Sequence, residues 1–163
     1  MRLFRIVILL TLAFGVSACS SKFKTYNGPA VTQIYVQKSA RKMYMLHGNS
    51  VLKTYDIDLG GVPLGHKQYE GDGKTPEGAY FINRRNPDSL YHLSIGISYP
   101  NPTDIEVAHA VGLSPGGDIF IHGQNDRDRG RKDWTVGCIA VSDKEIERIY
   151  AMVRDGTPIY IAP

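Results

Sequence analysis

The sequence predicts a mainly β domain with two or three helices. Two observations carry this. Short runs of alternating apolar and polar residues, separated by turn-forming segments, recur from residue 31 to the C-terminus. Only two stretches combine helical features with start and stop signals. In chain order, residues 31–37 place Val31, Ile34 and Val36 among polar neighbours, the pattern of a half-buried strand. Residues 41–46 and 51–59 follow, with His47-Gly48-Asn49-Ser50 between them as the turn of a hairpin or meander. Residues 78–83 carry Ala79-Tyr80-Phe81-Ile82 and read as a strand, and 91–98 as another. Residues 103–111, with Pro102 before and Gly112 after, read as a helix. Residues 118–122 are a short apolar strand ending on His122. A second helix spans 143–155: Ser142 and Glu145 form a capping box, Ile146, Ile149 and Val153 make one apolar stripe, and Gly156 supplies the stop. Residues 158–162 close the chain as a strand.

The chain start reads as an address. Arg2 and Arg5 precede an apolar run over 6–16, broken by Thr11 and Gly15, and Ser17-Ala18 leads to Cys19. A basic start, a short apolar core and small residues describe a secretory signal peptide. The core is shorter than the roughly 20 residues a membrane span needs. The expected organisation is a signal over 1–18, a polar tether over 19–30 and one domain over 31–163. Val16-Ser17-Ala18-Cys19 resembles the lipobox of bacterial lipoproteins. That resemblance implies cleavage before Cys19, lipid on Cys19 and attachment to a membrane by that anchor alone. Ser20, in place of an aspartate, implies the periplasmic face of the outer membrane.

Composition narrows the function classes. The net charge is +3 and the pI about 8.8, too mildly basic to indicate a nucleic-acid partner. No phosphate-cradling loop precedes a helix, and His47, His66, His92 and His109 lack metal-ligand spacing, so no cofactor and no metal is expected. The chain has two cysteines. With Cys19 lipidated, Cys138 is the one thiol of the mature chain, and an unpaired thiol in an oxidising compartment implies a task or deep burial.

Ile121-His122-Gly123, a polar loop, and Asp133-Trp134-Thr135-Val136-Gly137-Cys138-Ile139-Ala140 hold the chemistry. A thiol with an ordinary pKa of about 8.5 is mostly protonated at neutral pH, and a neighbouring imidazole can take its proton. Attack on a carbonyl generates an oxyanion, which backbone N–H groups stabilise. Gly137 permits the close backbone approach this needs and is the candidate oxyanion-hole amide. His122, at a strand end before a glycine, is free to face a cleft. The spacing of His122 and Cys138 alone does not establish a dyad.

Taken together, these residues resemble the L,D-transpeptidase (YkuD) catalytic signature: His-Gly, a loop, a hydroxylic residue, one position, then Gly-Cys-Ile. Asp72-Gly73-Lys74-Thr75-Pro76-Glu77-Gly78 resembles that family's turn into a strand, and Gly156-Thr157-Pro158-Ile159-Tyr160-Ile161 its closing segment. The resemblance covers nearly all of the domain and implies a YkuD-like β-sandwich or barrel. It implies that Cys138 attacks the peptide bond after meso-diaminopimelate in a peptidoglycan stem, with His122 as general base. D-alanine then leaves, and the thioester passes to an amine or to water. Three positions depart from the usual Ser-His-Gly-Cys-Ile-Arg: Thr135 stands for serine, Val136 for the second histidine and Ala140 for arginine. Asp133-Trp134-Thr135 with Gly137-Cys138-Ile139-Ala140 resembles the YafK-like branch, which includes a hydrolase that frees the major outer-membrane lipoprotein from peptidoglycan. Expected partners are therefore stem peptides and a peptidoglycan-linked lipoprotein. Arg127, Arg129 and Arg131 are candidates to meet stem carboxylates. Trp134, Thr135 and Tyr91 are candidates to line the groove. The non-enzymatic alternative is a lipoprotein that binds stem peptides in the same groove.

Overall fold

The computed structural model describes residues 21–163; the predicted signal and Cys19 lie outside the described residues. The elements are β1 (Gln33–Gln37), β2 (Lys42–His47), β3 (Ser50–Asp56), β4 (Gly78–Asn86), β5 (Ser94–Ile97), α1 (Pro102–Ala110), β6 (Phe120–His122), β7 (Ile139–Ala140), α2 (Asp143–Met152) and β8 (Pro158–Ala162). The strands join in one curled sheet of order β3-β2-β1-β8-β4-β5-β6-β7. The predicted mainly β class is what the structure has, with two helices among the described residues.

Alternation explains the long half of this sheet. Ile34 and Val36 of β1, Met43 and Met45 of β2, and Ile159 and Ile161 of β8 all point to one face and are buried there. On the other face Tyr35 sits opposite Tyr44 and Tyr160, with ring centroids 6.1 Å away in each case. The last strand, β8, inserts parallel to β1 and antiparallel to β4, so the chain end is locked at the sheet's middle. The curl is closed beyond β3. Asp58 exchanges both backbone hydrogen bonds with Ala140 of β7, at 2.9 and 2.8 Å, and Gly60 bridges Thr135. This links the two ends of the sheet order and explains why the β3 ladder stops at Asp56 rather than continuing to residue 59. From Asp58 onward the backbone pairs with the segment that carries Cys138.

Further boundaries differ from the sequence reading. The strand expected over 91–98 is β5 alone, because His92 adopts a positive φ of 71° and turns Tyr91 out of the ladder. Helix α2 ends at Met152, three residues early. The Arg85 guanidinium donates to the Tyr150 and Val153 carbonyls and lies 3.8 Å from the Tyr150 ring, so a side chain satisfies that end. Gly156 serves the turn into β8 instead, its N–H donating to Ile82 O at 2.7 Å. The predicted capping box of Ser142 and Glu145 is present. α2 lays Ile146 and Ile149 against β5 and β6, directly behind the residues that form the site.

Candidate active site

The parallel pairing of β6 and β7 brings the two predicted chemical groups together. Ile121 pairs with Ile139 and His122 with Ala140, which sets Cys138 opposite Phe120. Alternation then places Phe120, His122 and Cys138 on one side of the pair. Both His122 and Cys138 line a cavity of about 270 Å³, together with Leu90, Tyr91, Asp118 and Phe120.

His122 is 3% exposed. Its Nδ1–H donates to Gly123 O at 2.6 Å, and since a carbonyl can only accept, the proton sits on Nδ1 and Nε2 carries the free lone pair. Tyr91 stacks on the ring at 4.5 Å, and Trp134 meets it edgewise at 5.6 Å. Burial pushes the imidazole pKa below its ordinary value, against the opposing pull of the Gly123 hydrogen bond and of Asp128. Burial likewise pushes the Cys138 thiol up. The Phe120 N–H, at 3.4 Å from Sγ, opposes this, Asp118 adds to it and Lys67 opposes it. The thiol in turn donates to Asp118 O at 3.5 Å. No hydrogen bond joins imidazole to thiol among the described residues. The resting pair is therefore neutral on both sides.

The turn before Cys138 is built by hydroxyls and glycine. Thr135 Oγ1 donates to Cys138 O at 2.8 Å and accepts from Gly137 N at 3.1 Å. Thr75, from the turn before β4, accepts from Gly60 N at 3.1 Å and reaches Cys138 O at 3.5 Å. Gly137 has φ +134°, and a Cβ there would lie 2.7 Å from Lys74 O, so this position requires glycine. The Gly137 N–H, expected at the oxyanion hole, donates to Thr135 Oγ1 in this structure. Cys138's own N–H has no partner among the described residues.

The three loop arginines lie apart from these cavities. Arg129 pairs with Asp126 at 3.0 Å and Arg131 with Asp128 at 2.6 Å, each within one turn of the loop. Arg127, Arg129 and Arg131 are all exposed, and none lines the cavities that reach Cys138. Short i,i+3 acid–base spacings satisfy Arg129 and Arg131 locally. Tyr91 does line the cavity, while Trp134 and Thr135 act from behind it. Trp134 Nε1 is buried without a hydrogen-bond partner among the described residues. Asp133 pairs with Arg41 at 2.7 Å and accepts from Leu59 N at 3.1 Å, anchoring this segment to the hairpin.

Sequence reasoning missed a second cavity, of about 380 Å³, that also reaches Cys138. Lys67, Glu70, Asp118 and Val136 line it. Lys67 and Glu70 stand in a loop with no periodicity to single them out. Their signal was their place just before the Asp72–Gly78 turn.

Comparison with known proteins agrees with the fold. The model of the L,D-transpeptidase catalytic domain, YkuD, matches residues 32–161. YafK of Escherichia coli K12, whose name places it among the L,D-transpeptidases, is 31% identical over 136 residues, covering 81% of this chain and 50% of that protein. The chain thus spans about half the length of the curated relatives it matches. Among solved structures, the helical cell shape determining protein Pgp2 from Campylobacter jejuni superposes with a TM-score of 0.63 at 24% identity, covering 83% of this chain and 49% of that one. An L,D-transpeptidase from Mycobacterium smegmatis gives 0.56 at 14% identity, covering 82% and 59%.

Proposed function

The chain belongs to the L,D-transpeptidase catalytic-domain family, and from that premise we propose that it is a cysteine acyl-transfer enzyme of peptidoglycan stem peptides. The observation that carries the reading is the shared cavity: the Cys138 thiol and a buried His122 line one wall, and the imidazole's Nδ1 is already fixed by Gly123. His122 Nε2 accepts the thiol proton as Sγ bonds to the carbonyl carbon of the peptide bond after meso-diaminopimelate. The developing oxyanion takes the free Cys138 N–H. The Phe120 N–H, already directed at Sγ, favours the thiolate as it forms. As the C–N bond breaks, the proton passes from Nε2 to the departing D-alanine amine, leaving a thioester on Cys138. An incoming amine or water repeats these steps in reverse order. Tyr91 and Trp134 hold the imidazole plane through this exchange.

Cys138 sits where two cavities meet, which gives the acyl and amine sides of the bond separate space. The same geometry serves hydrolysis, including release of a lipoprotein joined to diaminopimelate through a lysine. The proposed setting is the periplasm, with the chain tethered by lipid on Cys19. No helix of the described residues is long and apolar enough to cross a membrane. The test is mass spectrometry of muropeptides incubated with the protein, wild type beside Cys138→Ala. Loss of D-alanine with new diaminopimelate–diaminopimelate dimers identifies a transpeptidase. Loss of D-alanine, or of an attached lysine, without dimers identifies a hydrolase. Equal turnover by Cys138→Ala would sink the mechanism, and unchanged muropeptides in both samples would leave a binding protein.

A further inference from the structure

Two lysines are almost wholly buried, and they differ in one respect. Lys38, 2% exposed, donates to Gly65 O, Thr75 O and Glu77 Oε1 at 2.6–2.9 Å, which uses all three of its N–H groups. Lys67, 3% exposed, donates to Tyr69 O at 3.0 Å and Asp72 Oδ1 at 2.9 Å, which uses two. Its third donor has no partner among the described residues, and Lys67 lines the second cavity beside Cys138. A buried ammonium is stable only when its hydrogen bonds are met, so an unmet donor facing a cavity is a site for an anion or polar oxygen. Asp72 cannot shift to meet it. Its carboxylate also accepts from the Gln68, Tyr69 and Lys74 amides, and its side chain is 3% exposed. These hold the ammonium in place.

The other charges of this cavity do not neutralise that donor. Asp118 is drawn outward to Arg84 at 2.6 Å, and Glu70 is exposed at the mouth. The first cavity, by contrast, presents Leu90, Tyr91 and Phe120, which suit methylene groups more than a charge.

We propose that Lys67 binds the carboxylate carried by the residue on the amine side of the scissile bond; this rests on the acyl-transfer reading above. The residue that leaves and an amino-acid centre that arrives as acceptor both bear a carboxylate next to the reacting nitrogen, so one fixed cation serves both half-reactions. It also supplies a positive group near the thiol where the sequence has Ala140 instead of an arginine.

The experiment compares a stem tetrapeptide ending in D-alanine with the same peptide ending in D-alaninamide. Wild type is expected to prefer the free acid by about tenfold or more in kcat/KM, expressed mainly in KM, the gain of one charge-assisted contact. Lys67→Met should erase the preference, so that the acid and the amide are used with equal kcat/KM. Because that variant strands the Asp72 charge, Lys67→Met with Asp72→Asn is measured alongside, with thermal unfolding to show that each is folded. Equal use of both peptides by wild type, or a preference that survives in a folded Lys67 variant, overturns the proposal. Turnover of neither peptide by wild type removes the acyl-transfer reading itself, a result distinct from lost discrimination.

Discussion

Thr135→Val replaces a hydroxyl with a methyl of nearly the same shape at the residue that shapes the Cys138 turn. Thr135 is buried, and its Oγ1 both donates to Cys138 O at 2.8 Å and accepts from Gly137 N at 3.1 Å. Valine removes both bonds. Cys138 O retains Thr75 at 3.5 Å, but the Gly137 N–H is left without a partner in the interior. A stranded buried donor costs about 1–3 kcal/mol, and losing the bond to Cys138 O adds about 1 kcal/mol. The expected destabilisation is about 2–4 kcal/mol, a fall in Tm of roughly 5–15 °C for a domain of this size. Turnover should fall further than stability explains, by about 10²-fold if the turn shifts by on the order of 1 Å. Thr135→Ser keeps the hydroxyl and should lose only about 1 kcal/mol, for the buried methyl. The assay is differential scanning fluorimetry beside D-alanine release for all three proteins. A valine variant with wild-type Tm and turnover would refute the reasoning. So would a serine variant as impaired as valine, since packing rather than the hydroxyl would then hold the turn.

Two other outcomes follow from buried charges. His122 has a pKa below its ordinary value because of burial, so between the unfolded pKa of about 6.5 and its folded value the unfolded state binds a proton that the native state refuses. Stability from this group is present above about pH 6.5 and is lost as pH falls, at up to about 1.4 kcal/mol per pH unit; urea unfolding at several pH values should show a shallower slope for His122→Asn, and an unchanged slope would refute the assignment. Lys38→Met leaves two carbonyls and the Glu77 carboxylate unpaired beside the loop that carries Thr75, and should cost about 3–5 kcal/mol; a variant that unfolds at the wild-type urea midpoint would show that water replaces the ammonium there.

What the sequence made legible was what local pattern encodes. Ile34, Val36, Met43 and Met45 alternate, and the strands they define are present. The capping box at Ser142 marked the start of α2 because capping is a contact between near neighbours. β7 has only two residues and exists through pairing with β6 and Asp58, so no period could announce it. The end of α2 was misjudged for the same reason: Arg85, which satisfies its carbonyls, comes from β4. In the candidate site, His122 and Cys138 could be singled out by residue type and by the signature they resemble. Their meeting depends on a strand register that spacing does not reveal. Lys67 was invisible because its meaning lies in one unmet hydrogen bond across a cavity. Two of the loop arginines, Arg129 and Arg131, pair with the acids at i−3, a local alternative that residue type alone did not weigh.

The neutral resting pair links the fold to the chemistry. Burial disfavours charge on both groups, raising the thiol and lowering the imidazole, so an ion pair of thiolate and imidazolium is not the ground state. In the proposed mechanism, proton transfer then coincides with attack, when the new charge moves onto a carbonyl oxygen that the Cys138 N–H can meet. The groups that favour the thiolate, the Phe120 N–H and Lys67, act from the strand behind and from the second cavity. A carboxylate seated on Lys67 would cancel much of that cation's pull on the thiol, so the bound peptide's contribution has to be position rather than charge. In that mechanism the aromatic wall of Tyr91, His122 and Trp134 would matter as much as the nucleophile: it would hold Nε2 ready for a proton that leaves sulfur only once a carbonyl is in place. A thiol kept protonated in this way is also a poor target for oxidation, which suits an unpaired cysteine in the compartment proposed for it.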